Sequence, residues 1–180
     1  MVRGERVLES NPVYQGRMIN LRVDSVELPS GRRTTREIVE HTDSVVVVAI
    51  NAYDNVILVK QFRTAVGDSL IEVPAGKREP GESPLECAIR ELEEETGYSA
   101  GNIEQLGGFY AGPGYSTEYL HLFLATDLKR EESNTDDDEI SDVLLVSLNE
   151  ALQMIFSGEI CDAKSVAGLL KIAVGRLEMP

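Results

Sequence analysis

The chain has 180 residues, 42% of them hydrophobic and 27% charged. That length fits one domain with enough apolar material for a core, which excludes a disordered chain and a collagen. Asp and Glu number 31 against 17 Lys and Arg, so the formal net charge is −14; such a surface repels polyanions and argues against nucleic acid and anionic membranes as partners.

Residues 1–42 alternate apolar and polar positions around Leu21, Val23, Val26, Leu28, Ile38 and Val39. This predicts two or three strands turned at Ser30-Gly31. Residues 44–51 (SVVVVAIN) form a continuous apolar run, the pattern of a strand buried on both faces. Its apolar core, residues 45–50, falls far short of the ~20 residues of a membrane span. A break at Asp54-Asn55 leads into a partner strand at 56–59, and 70–73 reads as another short strand.

Residues 83–95 read as the first strong helix. Ser83 and Glu86 have capping-box spacing, Pro84 takes the first helical position and Gly97 supplies the stop. Leu85, Ala88, Ile89 and Leu92 recur at helical spacing as the expected buried face. Strands are expected at 103–110, 119–126 and 143–146. A second capping pair, Ser147 with Glu150, opens a helix ending near Ser157-Gly158. A last helix starts near Asp162, with Val166, Leu169, Leu170, Ala173, Val174 and Leu177 on one stripe. Residues 129–138 (KREESNTDDD) stay polar and read as a loop. Strands, a helix, more strands and two helices predict an α/β fold, a mixed sheet with helices packed on it.

Only two cysteines, Cys87 and Cys161, and two histidines, His41 and His121, are present, none at zinc-ligand spacing. A metal would therefore be held by oxygen, which points to Mg²⁺, with Mn²⁺ able to substitute. The N-terminal MVRGERVLES lacks a signal-peptide apolar stretch. With so few cysteines, the expected compartment is the reducing cytoplasm.

Arg90-Glu91-Leu92-Glu93-Glu94-Glu95 places four glutamates within five helical residues. At about 100° per residue, Glu91 and Glu95 share one side, and Glu94 lies about 60° from Glu91. Like charges one turn apart destabilise a helix. Either the face is simply solvated, or divalent cations bridge the carboxylates. Arg90 can relieve part of the repulsion through Glu86 and Glu94.

Gly76, Glu82, Arg90, Glu91, Leu92, Glu94, Glu95 and Gly97 spell G-x5-E-x7-R-E-L-x-E-E-x-G. This resembles the Nudix box at every charged and glycine position. The box usually ends in an aliphatic residue, where this chain has Tyr98, but the branch that follows accepts aromatics there. Over residues 20–160, Glu37-Ile38-Val39-Glu40-His41, Val59-Lys60-Gln61-Phe62-Arg63 and Ile71-Glu72-Val73-Pro74-Ala75-Gly76 resemble ADP-ribose pyrophosphatases in order and spacing. So does Pro113, 16 residues after Gly97. Thr42-Asp43 stands where the branch often has Pro-Gly.

The resemblance implies a Nudix α/β/α sandwich with a mixed sheet over residues 43–180. It also implies an N-terminal β-strand region, residues 1–42, that exchanges between subunits of a homodimer; the alternative is an extra sheet within one chain. It implies Mg²⁺-dependent hydrolysis of the diphosphate of ADP-ribose or a related ADP-sugar, giving AMP and ribose 5-phosphate. Alternatives are another nucleoside diphosphate sugar, such as GDP-mannose, or a nucleotide-sensing module without catalysis. By the same resemblance Glu91, Glu95 and the Ala75 carbonyl are metal ligands. Glu82 is an outer ligand or a loop brace, and Glu94 shares a metal or positions a water. The general base falls at Glu139, within Asp136-Asp137-Asp138-Glu139, a run that also reads as a solvated tip. Arg63 would contact a phosphate or the terminal ribose. Pro113, Ser116 and Glu118 belong to the substrate loop, Glu118 holding a ribose hydroxyl or positioning Arg63. Arg36 reaches the ligand or forms a strand-face salt bridge. Tyr14 and Phe62 stack on adenine or, the stronger expectation for either, pack in the core.

Overall fold

A computed structural model of the chain describes residues 4–130 and 140–178. The chain divides into two compact units. One comprises residues up to Asp43 together with Tyr110–Tyr119; the other comprises Ser44–Phe109 and the chain from Leu120 onward.

In the first unit, β1 (Arg6–Gln15), β2 (Asn20–Glu27) and β3 (Arg33–Glu40) form an antiparallel sheet in that order. The β2–β3 turn closes through the Gly31 N–H to Leu28 O bond, with Gly31 at φ +81. That left-handed geometry suits glycine, and Ser30-Gly31 signals it in the sequence. β1 is an edge strand, so it tolerates Pro12, after which its register with β2 shifts. Asp24 is buried in β2. It accepts a 2.6 Å bond from Ser10 Oγ, the main reason its carboxyl is held below the usual range, and two 3.1 Å bonds from Arg22 Nε.

The second unit holds β4 (Ser44–Ile50), β5 (Asn55–Arg63), β6 (Asp68–Glu72), β7 (Ala75–Lys77), β8 (Tyr98–Tyr110), β9 (Tyr119–Arg130) and β10 (Ile140–Ser147). They form one mixed sheet in the order β10-β5-β4-β9-β8, with β6 paired to β5 and β7 to β4. β4 and β9 run parallel, while β5 is antiparallel to β4, β6 and β10. Its helices are α1 (Pro84–Thr96), α2 (Leu148–Ser157) and α3 (Ala163–Glu178).

The layers follow from the alternation of β4, which is buried throughout. Val46, Val48 and Ile50 pack in a cluster with Leu148 and Ala151 of α2, Leu169 and Ile172 of α3, and Ile160 between them. Val45, Val47 and Ala49 pack in a second cluster with Cys87, Ala88 and Leu92 of α1. One strand thus feeds two cores, and the expected α/β/α sandwich is the fold.

Both helix stripes are rotated from the expected ones. In α1 the buried residues are Cys87, Ala88, Leu92, Glu95 and Thr96, whereas Leu85 and Ile89 are 45% and 40% exposed. Small Cys87 and Ala88 let the helix sit close to β4, and the two larger aliphatics turn outward. In α3 the buried face runs through Ser165, Gly168, Leu169 and Ile172, while Leu170 and Val174 are exposed. Here the close approach of Gly168 to Val48 selects the face: a Cβ on Gly168 would lie 3.0 Å from Val48 Cγ2.

Strand β7 was not anticipated, because three residues carry no alternation. β8 and β9 extend beyond the expected strands, and Lys129 and Arg130 belong to β9 rather than to a loop. The core-packing expectation for Tyr14 and Phe62 fails: each is 57% exposed. Gly168→Leu should overpack the α3–β4 contact and cost about 1–3 kcal/mol, read as a lower urea midpoint at unchanged slope.

Candidate active site

The helix that carries the acidic run is set by its caps. Ser83 Oγ accepts from the Glu86 N–H and Glu86 Oε2 accepts from the Ser83 N–H, a closed capping box. Gly97 ends the helix in the left-handed region at φ 68. Glu86 is therefore committed to the cap, and Arg90 finds other partners. Its Nε and Nη2 form a fork onto Glu82, at 2.9 and 3.0 Å. Its Nη1 bonds Glu91 Oε1 at 2.8 Å and Glu94 Oε2 at 2.9 Å. One guanidinium gathers three of the carboxylates.

Glu91 and Glu95 lie on the buried side of α1, against β7. A Cβ on Gly76 would stand 1.9 Å from Glu91 Cδ, so only glycine leaves room for that carboxylate. Glu95 Oε2 accepts from the Ala75 N–H at 2.9 Å. Burial, the largest effect, pushes the Glu91 carboxyl above its usual range against the pull of Arg90, and the charges of Glu94 and Glu82 add to the rise. Glu82 behaves oppositely: the hydrogen bonds from Arg90 hold it down to about 2.

Arg63, at the end of β5, forks onto Glu72 of β6, Nε to Oε1 at 2.9 Å and Nη2 to Oε2 at 2.6 Å. That pairing raises its proton affinity, and the charges of Glu95 and Asp162 act in the same direction. Lys164 Nζ, in the first turn of α3, bonds the same Glu72 Oε2 and also Asp162 Oδ2, the latter at 2.9 Å.

The other expected substrate residues belong to the first unit. Pro113, Ser116 and Glu118 sit on the stretch between β8 and β9. This stretch is pinned to β3 by Val39 N–H to Tyr115 O at 2.7 Å and Thr117 N–H to Val39 O at 3.0 Å. Ser116 Oγ accepts from the Glu118 N–H, and Glu118 Oε1 is 3.4 Å from His41 Nδ1. The Tyr110 and Tyr119 rings close the base of the stretch edge to face, with centroids 5.1 Å apart. Arg36 forms the strand-face salt bridge, pairing with Glu5 through Nε at 3.0 Å and through Nη2. Glu139 and its neighbours Asp136, Asp137 and Asp138 lie outside the described residues.

Comparison with known proteins identifies the family. The NUDIX domain profile matches residues 40–168, and the profile of the nucleoside diphosphate sugar hydrolase N-terminal domain matches residues 5–39. The chain belongs to the Nudix family. It is 42% identical over 163 residues to a Bacillus subtilis (strain 168) protein named ADP-ribose pyrophosphatase, covering 89% of this chain and 88% of the relative. It is 42% identical over 164 residues to a Bacillus methanolicus protein named methanol dehydrogenase activator, covering 90% and 89%. A solved structure titled as an ADP compounds hydrolase has the same fold, with a TM-score of 0.86 at 23% identity over 96% of this chain and 94% of that one.

Nudix hydrolases generally use divalent metal ions. The donors here fit one: every candidate is a carboxylate or carbonyl oxygen, and the Glu91 carboxyl, pushed up by burial, would gain from a nearby cation. Among the described residues no group of three or more His, Cys, Asp or Glu is already gathered for a metal. Glu82, Glu91 and Glu94 are turned to Arg90, and Glu95 to the Ala75 amide.

Glu72 lies within a family-like stretch of the sequence that assigns it no role. Its signal is a lone acid in the apolar run Leu70-Ile71-Glu72-Val73. Lys164, 92 positions from Glu72, carries no local signal.

Because Glu82 is depressed in the folded chain, its contribution to stability is present above the ordinary carboxylate value of 4.5 and lost as pH falls towards about 2. Carboxyl ¹³C titration of the metal-free protein should give a Glu82 midpoint near 2. Arg90→Met should move it back towards 4.5.

Proposed function

We infer that this Nudix hydrolase splits the diphosphate of ADP-ribose, or of a closely related ADP-sugar, into AMP and ribose 5-phosphate with Mg²⁺, for which Mn²⁺ substitutes. The observation that carries the reading is the pairing of Glu91 and Glu95 with Ala75 and Gly76 of β7, where a side chain at Gly76 would collide with Glu91. Two carboxylates and the Ala75 backbone carbonyl would make a ligand set for a hard cation. The ADP-ribose specificity is supported by the name of the Bacillus subtilis relative at 42% identity.

In this reading Glu91, Glu95 and the Ala75 carbonyl hold the metal, with Glu82 as outer ligand or loop brace. A Mg²⁺ ion held there would supply neutralisation of the diphosphate charge and activation of a water. Arg90 spreads one positive charge over Glu82, Glu91 and Glu94 and keeps them in place without the metal. Glu94, with its side chain 57% exposed, is the box carboxylate with most access to solvent water, which suits it to positioning the attacking molecule. Glu139 takes the proton from that water. Arg63, oriented by Glu72, offers its guanidinium to a phosphate or the terminal ribose. Pro113, Ser116 and Glu118 supply further substrate contacts, whereas Arg36 keeps its strand-face salt bridge to Glu5.

The homodimer rests on β1. It is exposed along its whole length, forms a sheet edge and carries Val7, Leu8, Val13 and Tyr14 outward. An exposed apolar edge strand invites pairing with another chain. Residues 1–42 are the exchanging region and 43–180 the hydrolase domain. Among the described residues no helix is long and apolar enough to cross a membrane. Both cysteines are free, which supports the cytoplasm as compartment.

A panel of ADP-ribose, other ADP-sugars and GDP-mannose, each with Mg²⁺ and Mn²⁺, tests the substrate; fastest release of AMP from ADP-ribose is expected. Glu95→Gln should abolish that release while the far-UV CD spectrum stays intact. Glu139→Gln should lower kcat by about 10²–10⁴-fold with little change in KM. In sedimentation velocity the wild type should run as a dimer and Val13→Glu as a monomer.

A further inference from the structure

The four charged groups at the start of α3 form a closed set. Arg63 and Lys164 bring two positive charges, and Glu72 and Asp162 two negative ones. Glu72 is the centre, with only 2% of its side chain accessible. A carboxylate that deep needs its oxygens occupied. Arg63 takes both with its fork, and Lys164 adds a second donor to Oε2. Burial works to raise the Glu72 carboxyl, yet the bonds from Arg63 and the charge of Lys164 overcome it and hold the group below its usual range.

The first turn of α3 also grips the backbone beside Glu72. Ser165, wholly buried, accepts the Val73 N–H on Oγ at 2.9 Å. Asp162 caps the helix, accepting the Ser165 N–H on Oδ2 at 3.1 Å and Lys164 on the same oxygen. Its other oxygen, Oδ1, is buried with no hydrogen-bond partner among the described residues. Asp162 is thus a second carboxylate in the field of Arg63, with an acceptor to spare.

We propose that Lys164 is a positioning residue for Arg63: it braces Glu72 and neutralises Asp162, so that the Arg63 guanidinium keeps one orientation instead of dividing between two carboxylates. Nε and Nη2 are committed to Glu72, and the Arg63 side chain is 35% accessible. Nη1, outside that fork, is the edge presented to a ligand. Without Lys164 the set holds one cation and two anions, and Arg63 is drawn towards Asp162. A pre-aimed guanidinium loses less freedom on binding than one that must be recruited. The placement stands on geometry alone; its effect on turnover rests on the ADP-ribose reading above.

Two measurements separate the two claims. With ADP-ribose and Mg²⁺, Lys164→Met should raise KM about tenfold and leave kcat within about threefold. Lys164→Gln, which keeps a donor without the charge, should raise KM about threefold, and Lys164→Arg should restore it. In an Arg63→Ala background Lys164→Met should add nothing, because its effect passes through Arg63. Equal factors with and without Arg63, or an unchanged KM in both Lys164→Met and Lys164→Gln, overturn the proposal. The second measurement needs no substrate. The Arg63 Nε–H resonance, assigned by its loss in Arg63→Ala, should be sharp in the wild type and broadened or shifted in Lys164→Gln. An unaltered resonance overturns the proposal whatever the substrate. A wild type that leaves ADP-ribose intact, with the resonance still responding to Lys164→Gln, overturns the substrate reading and keeps the positioning role.

Discussion

Like charges on successive helical turns repel, and α1 carries Glu91, Glu94 and Glu95, with Glu82 just ahead of it. Arg90 is what makes this arrangement tenable. Its donors reach Glu82, Glu91 and Glu94 at 2.8–3.0 Å, and Glu82 ties back to the Glu79 N–H at 2.9 Å. The loop before the helix, the helix itself and the carboxylates are therefore held by one side chain. A fork donor suits this better than a lysine ammonium, because several oxygens at fixed angles must be met at once. The remaining box glutamate, Glu95, is buried and accepts from the Ala75 backbone N–H instead. Cluster and backbone together bring α1 against the end of β7.

Much of the fold was legible in the sequence because it rests on local signals. The capping box at Ser83 and Glu86, the stop at Gly97, the turn at Gly31 and the buried run of β4 are short-range patterns with one physical reading each. The faces of α1 and α3 were not legible. Periodicity gives the spacing of a stripe, but Cys87, Ala88 and Gly168 decide its phase by being small enough to let each helix sit close against the side chains of the sheet. A scale that rewards large aliphatics favours Leu85, Ile89 and Leu170, which the structure leaves outside. Strand β7 is a matter of pairing with β4, which no three residues announce.

The same division holds at the site. The glutamates and glycines of the box could be read from their spacing. The partners of Arg90 could be read only in part: the bond to Glu94 is one turn away, but the fork to Glu82 depends on how the loop folds back. Arg63 was visible as a residue, but not the carboxylate that aims it or the lysine and aspartate behind that carboxylate, which meet only in the folded sheet. The first unit offers a parallel case. The stretch between β8 and β9 joins β3 through Val39 and Ser116, a contact between positions 77 apart in sequence that no local pattern contains.

β4 has a further consequence. Its odd-numbered side chains line one core and its even-numbered side chains the other, with almost no exposure anywhere along it. Single substitutions there trade volume within one compartment and can be absorbed by repacking. Deletion of one residue would send every later side chain across the sheet, presenting the α1 layer with groups shaped for the opposite layer. Sequence drift in this strand should therefore be free in identity among aliphatics and closed to insertions or deletions, a constraint on reading frame rather than on chemistry.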